Sequence, residues 1–245
     1  MSVQAAARSM ATLALCMFLG GTAAAEPVRF VTIDTAPWAS VEPKSGKAEG
    51  VFPDIVAELV RRTGLDILVE LQPFARIPRE LETSRQDCTI LVWNEQWAPF
   101  MVQGEVVSNH PVGVIARKGL RLRSYENLRG LSVSVLRGLP LGPRFDGDES
   151  VHRQYDTDYL QGLNKLAHGR VDAVAGALPT IAYLAEQNGL DRHLGDRLEL
   201  SQMLLRFQCA KGSPRLDVMP AIDAAIRAML ADGTIERIKA SRDYH

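Results

Sequence analysis

The segment "WNEQW", Trp93 to Trp97, sets two indoles around an amide, a carboxylate and a second amide. No Lys or Arg occurs from Gln86 to Ala116, so this stretch has neither cation to fork onto an anion. It offers stacking faces from Trp93 and Trp97, amide hydrogen bonds from Asn94 and Gln96, and a negative charge from Glu95. That set suits a cation or a polar, flat or ring-shaped solute. Trp97 and Phe100 could equally be core packing.

Further candidates stand at the ends of apolar runs. "DTAPWAS" presents Asp34 and Trp38, and "QPFARIP" presents Phe74 and Arg76. "LRGLP" presents Arg137, Gly138 and Leu139, where the glycine lets backbone approach a ligand closely. Each has a structural alternative. Trp38 could anchor a surface, Arg76 could open a helix, and Arg137 could pair with a nearby carboxylate. Asp158 could touch a ligand, but it or Thr157 suits a helix N-cap better. If Arg76 and Arg137 both face inward, an acidic ligand becomes possible.

Several chemistries find no support. The five histidines form no pair at metal spacing, and there is no HExxH or CxxC. Neither a Gly-x-Ser-x-Gly elbow nor a phosphate-binding loop occurs. Cys88 falls in an apolar run that reads as a buried strand, a poor place for a nucleophile. No catalytic residue, metal or cofactor is expected. The formal net charge is -1 and the basic residues are scattered, so neither nucleic acid nor an anionic membrane is the expected partner.

These residues need elements to hold them. "VRFVTI" reads as a strand, "FPDIVAELVRRTG" as a helix started by Pro53 and stopped by Gly64, and "DILVELQ" as a strand. "ARIPRELETSRQ" reads as a short helix and "CTILVW" as a third strand. The order β-α-β-α-β predicts a parallel sheet covered by helices. The pattern then restarts. "PVGVIARKG" is a strand, "SYENLRG" a short helix capped by Ser124, "LSVSVL" a strand and "DTDYLQGLNKLAHG" a helix. "VDAVAG" is a strand and "PTIAYLAEQNG" a helix. Last come the strand "LLRFQCAKG" and a long helix opened by Ser213-Pro214. Two α/β units with few residues between them predict two lobes sharing a crevice, and open α/β sheets bind ligands beyond the carboxyl ends of their strands.

The chain opens with Arg8, an apolar run from Met10 to Gly20 and Ala23-Ala24-Ala25 before Glu26. These features read as a cleaved secretory signal peptide over residues 1–25, and hence a periplasmic protein. A lipoprotein is disfavoured because Leu15 precedes Cys16. Cys88 and Cys209 remain after cleavage, and an oxidising compartment permits their pairing. The mature chain carries no other run long enough to span a membrane.

The leader, "EGVFPDIVAELVRRTG", "ENLRGLSVSVLRG", "LQGLNKLAHGRVDAVAG" and "KGSPRLDVMPAIDAAIRAMLADGTIERI" together resemble the family 3 periplasmic solute-binding proteins, the amino-acid-type receptors of ABC importers. The resemblance covers nearly the whole mature chain. It implies the type II periplasmic-binding-protein fold. Lobe 1 would be residues 26–109, lobe 2 residues 110–206, and residues 207–245 would return to lobe 1, with crossing strands near His110 and Phe207 as the hinge. The family holds an amino-acid carboxylate with an arginine after the third strand and a hydroxyl residue in the lobe 2 turn, and the ammonium with an aspartate after the "GRVDAV" segment. Here Gln96, Leu139 and Gly176-Ala177 fall at those positions. The expectation is therefore a monomeric receptor for a small polar solute other than a standard amino acid, serving an ABC transporter permease. Alternatives are an exported enzyme like the cyclohexadienyl dehydratases, or a sensing or protein-interaction module. As the chain ends at His245 without a transmembrane helix or kinase, sensing would need a separate membrane partner.

Overall fold

The computed structural model describes residues 26–242, so the leader expected over residues 1–25 lies outside the described residues. β1 (Val28–Ile33) is nearly all buried, as its β-branched run requires. It pairs in parallel with β4 (Ile67–Gln72) and β5 (Cys88–Val92). A small hairpin of β2 (Ser40–Val41) and β3 (Ala48–Glu49) interrupts the long loop after β1. α1 (Val51–Thr63) links β1 to β4. Pro53 stands in its first turn, and Val51, Phe52, Ile55, Val56 and Leu59 form its buried stripe. Gly64 ends it at φ 71°, its N–H bonding the Val60 carbonyl, a left-handed cap that glycine adopts without a Cβ penalty. α2 (Ile77–Glu82) links β4 to β5.

β6 (Met101–Arg117) leads into the second unit. There β7 (Ser132–Leu136) runs parallel to β8 (His152–Asp156) and β9 (Ala173–Ala177). α3 (Pro143–Asp146), α4 (Tyr159–Ala167) and α5 (Leu178–Gln187) connect and cover these strands. β10 (Leu194–Ala210) returns, and α6 (Met219–Ala231) and α7 (Thr234–Ser241) close the described chain. The long strands form a single sheet in the order β4-β1-β5-β10-β6-β9-β7-β8. β6 and β10, each 17 residues long, run antiparallel through its middle and serve both lobes.

The expected elements form, with informative differences. β6 and β10 extend well beyond "PVGVIARKG" and "LLRFQCAKG", because each strand carries pairing for one lobe at either end. β8 has no counterpart in the sequence reading. It is an edge strand with little buried surface, so "HRQYD" lacks the apolar run that marks a strand. The last long helix starts not at Ser213-Pro214 but at Met219, with Pro220 in its first turn, after a short 3-10 turn at Leu216–Val218. Ser124 caps a 3-10 turn, Tyr125–Leu128, in a capping box with Asn127. Cys88 and Cys209 lie directly opposite each other in β5 and β10 and form a disulfide. At Gly113 in β6, a Cβ would stand 2.1 Å from the Leu198 carbonyl oxygen of β10. Only glycine lets the two crossing strands lie this close.

Candidate functional site

A cavity of about 40 Å³ lies between the lobes, beyond the carboxyl ends of β1, β5, β7 and β9. Lobe 1 supplies Ile33, Thr35 and Trp38 after β1, Phe52 from α1, Phe74 after β4, and Leu91 and Val92 from β5. Lobe 2 supplies Leu136 and Leu139 around the turn after β7, Tyr159 from α4, and Ala177 and Thr180 at the start of α5. The crossing strands add His110, Val112 and Leu205. This volume holds roughly two or three waters. The lobes stand closed, their facing side chains filling most of the crevice.

Trp38 is the chief contact across that crevice. It is 5% exposed. Its ring stacks on Phe52 at 4.7 Å and meets His110 edge-on at 5.2 Å. Its indole Nε1–H donates to Thr180 Oγ1 at 2.9 Å, a fully buried bond from one lobe to the other. A second lobe contact forms at the turn after β7. Gly138, at φ +84°, presents its open face to Phe74 and Ala75, with 3.7 and 3.8 Å from the place a Cβ would take. Phe74 in turn leans on Trp97, at 6.4 Å between rings.

The polar groups of the lining are Thr35, His110, Tyr159 and Thr180, and all are uncharged near neutral pH. Burial, aided by the positive charge of Lys239, lowers the His110 pKa to about 4. Burial also raises the Tyr159 phenol above its ordinary value, partly opposed by the Ala177 N–H that donates to it at 3.1 Å. The Tyr159 ring lies across Gly176, where a Cβ would fall 2.3 Å from Cε1. Gly176 is thus the residue that lets Tyr159 reach the cavity. Among the described residues no carboxylate, ammonium or guanidinium lines the space.

Of the residues expected from sequence, Trp38, Phe74 and Leu139 line the cavity together. Asp34, Arg76, Glu95, Gln96, Arg137 and Gly138 are exposed and outside its lining, and so are the half-buried Trp93, Asn94 and Asp158. "WNEQW" folds on itself instead: Trp93 Nε1–H donates to Glu95 Oε1 at 2.9 Å, and Asn94 Oδ1 accepts from the Gln96 N–H at 3.0 Å. Trp97 packs into the core of lobe 1. Asp158 caps α4, accepting from the Gln161 N–H. Tyr159, Thr180 and Phe52 carry no such expectation from sequence, and His110 is expected only at the hinge. Tyr159 and Thr180 each sit in the first turn of a helix that follows a strand, the place where such folds put ligand contacts. That was the signal available.

Among the described residues no group of His, Cys, Asp and Glu could hold a metal ion. No helix there is long and apolar enough to cross a membrane.

No family model matches the chain, and no curated protein matches it. Solved structures do. The arginine-, lysine-, histidine-binding protein ArtJ from Geobacillus stearothermophilus is 14% identical, with a TM-score of 0.75 over 89% of this chain and 95% of that one. An ancestral amino acid-binding protein, AncCDT-1, a precursor of cyclohexadienyl dehydratase, is 17% identical, with a TM-score of 0.74 over 89% and 95%. A histidine kinase sensor domain with similarity to periplasmic binding proteins is 17% identical, with a TM-score of 0.75 over 88% and 95%. A binder, an enzyme precursor and a sensor on one scaffold fix no activity; at these identities the likeness shows that the chain has the two-lobed periplasmic-binding-protein fold.

Proposed function

We propose that the chain is an exported solute-binding protein. It captures a small, polar but uncharged solute between its lobes and presents the closed form to a membrane partner, as receptors of ABC importers do. In this reading lobe 1 comprises residues 26–109 and 207–245, lobe 2 comprises residues 110–206, and the protein works as a monomer. The observation that carries it is the inter-lobe cavity, walled by side chains from both lobes and from the crossing strands. Closing on a solute there is a hinge motion about β6 and β10. The solute is not a standard amino acid. A buried zwitterion needs a partner for each charge, and the positions of the usual clamp hold an exposed Gln96, an apolar Leu139 and a Gly176 covered by Tyr159. A dehydratase is disfavoured for the same reason: its dicarboxylate substrate needs cations, and Glu95 and Asp34 stand outside the cavity lining.

The test is a thermal-shift screen of the purified full-length chain. The screen covers the twenty L-amino acids, polyamines, betaines, nucleobases, small sugars and small neutral carbonyl compounds. Ligand at about a hundredfold over its dissociation constant stabilises by roughly 2.7 kcal/mol, on the order of 5–10 °C for a chain of this size. A shift with an uncharged solute and none with amino acids is expected. A shift with a standard amino acid overturns the assignment of the clamp.

The small cavity and the Trp38–Thr180 bond favour a second reading, in which the lobes are held shut by their own side chains and a protein partner reads the outer surface. Silence across the whole screen selects it.

A further inference from the structure

We propose that the cleft selects small neutral molecules with an apolar body and a single hydrogen-bond acceptor, such as a ketone, lactone or amide carbonyl, received by the hydroxyls of Tyr159 and Thr180. This inference rests on the solute-binding reading and names the ligand class of that site.

The hydrogen bonds of the lining carry it. Thr35 spends its proton on the Asp34 carbonyl at 2.7 Å. Tyr159 and Thr180 do not spend theirs. The Tyr159 oxygen accepts from the Ala177 N–H, and the Thr180 oxygen accepts from the Trp38 indole. Among the described residues neither hydroxyl has an acceptor for its own proton. Tyr159 is 4% exposed and Thr180 0%, and both border the same cavity. Two buried O–H donors therefore border a space whose only other polar lining side chains, among the described residues, are Thr35, His110 and the Trp38 indole, which donates to Thr180. A buried donor without an acceptor is unfavourable, and a ligand acceptor relieves it.

The same geometry sets what is refused. The Tyr159 phenol stays protonated because burial penalises its anion, so it donates and offers no negative charge to a cation. His110 stays neutral near pH 7 because burial opposes its protonation, so it offers no positive charge to an anion. A charged ligand would meet no counter-charge among the described lining residues, a cost that buried charges avoid by pairing. The scaffold resemblance implies an ammonium-binding aspartate at the position that Gly176-Ala177 holds; here the Tyr159 ring covers Gly176. The polarity of the lobe 2 side is thereby inverted, from accepting protons to donating them. Since the closed cavity admits only a few waters, a ligand of five or six heavy atoms binds with the lobes slightly further apart.

Four compounds with one ring and different head groups test this on the full-length protein: cyclopentanone, cyclopentanol, cyclopentylammonium and cyclopentanecarboxylate. Binding is followed by saturation-transfer NMR and by tryptophan fluorescence, which senses Trp38. The expected order is ketone first, alcohol weaker, and both ions weaker than the ketone by at least about tenfold. Thr180→Val keeps the shape, removes one donor together with the acceptor of the Trp38 indole, and should weaken the ketone by at least about three- to tenfold, the usual range for one hydrogen bond; Thr180→Ser should recover most of that. The head-group series on the unaltered protein stands even where a variant folds poorly. Binding of the ammonium or the carboxylate as tightly as the ketone, in competition with it, overturns the ligand class and leaves the receptor reading intact. Failure of every ring compound together with silence in the broad thermal-shift screen overturns both. A response to an amino acid or sugar in that screen without any ring compound binding overturns the class alone.

Discussion

His110 shows how one buried side chain ties stability to pH. It is 4% exposed, in β6 where the lobes meet, against the Trp38 ring. Burial is the main cause of its lowered pKa, and Lys239 adds a smaller like-charge effect. Folding thus moves the imidazole from 6.5 to about 4. Above pH 6.5 it is neutral in both states and costs nothing. As pH falls through 6.5 the unfolded chain takes up a proton that the folded one refuses, so stability drops until about pH 4 and then levels off. The full effect is roughly 3 kcal/mol at about 1.4 kcal/mol per unit. Urea denaturation at pH 7.5 and pH 4.5 should show most of that loss, and His110→Gln should remove it. A loss of the same size in His110→Gln would assign the acid sensitivity to carboxylates instead. Trp38 carries the matching lesson for the site. Its residue type and its place after β1 marked it as a cleft residue in the sequence. Its bond to Thr180, 142 positions away, could not be seen there, because only the folded sheet brings the two loops together.

At the scale of elements, the disulfide is the one covalent tie between distant segments of the described chain. Cys88 and Cys209 are 121 positions apart, and the loop they close contains the whole of β6 to β9 and most of β10. Closing a loop this long restricts the unfolded chain strongly, by about 4–5 kcal/mol in the entropy model, while native disulfides typically contribute 2–5 kcal/mol. Reduction, or Cys88→Ala with Cys209→Ala, should lower the unfolding free energy by that amount in guanidinium titrations. An unchanged midpoint would mean the loop stays closed in the unfolded state by other means. The two cysteines were visible in the sequence and their pairing was left open there. What decides it is register: β5 and β10 are antiparallel neighbours with these residues directly opposed, and no local pattern encodes a pairing between strands so far apart. The same limit explains the other gaps. Short buried strands such as β1, β5 and β9 announce themselves by apolar runs, and α1 by its stripe and its Pro and Gly. β8 does not, because an edge strand buries little. The "WNEQW" segment misdirects for a related reason: aromatic and amide side chains at a strand end suit a ligand, but they also suit a tight turn that satisfies itself, as Asn94 and Glu95 do here.

The whole molecule is one sheet shared by two lobes, and that sets how it unfolds. Two-lobed chains commonly melt in pieces when their interface is slight. In this chain one hydrogen-bonded ladder runs through the interface. β6 pairs with β9 at one end and, along its length, with β10, which pairs with β5 at the other end. Melting lobe 2 alone would strip half the ladder from both crossing strands. It would also open the apolar crevice around Trp38, Phe74 and Leu139 to water, while the disulfide still held the ends of the loop together. A cooperative unit should result. Its test uses a Trp38→Phe variant, which removes the indole that faces lobe 2: the remaining tryptophans, Trp93 and Trp97, then report lobe 1, whereas far-UV circular dichroism sees the helices of both. In urea the two signals should trace a single coincident transition at pH 7.5. With the disulfide reduced, both should move together to lower denaturant. A dichroism transition that precedes the tryptophan transition would show lobe 2 opening first, and would locate the weak boundary at the crossing strands, where Gly113 lets β6 and β10 approach but adds no side-chain packing of its own.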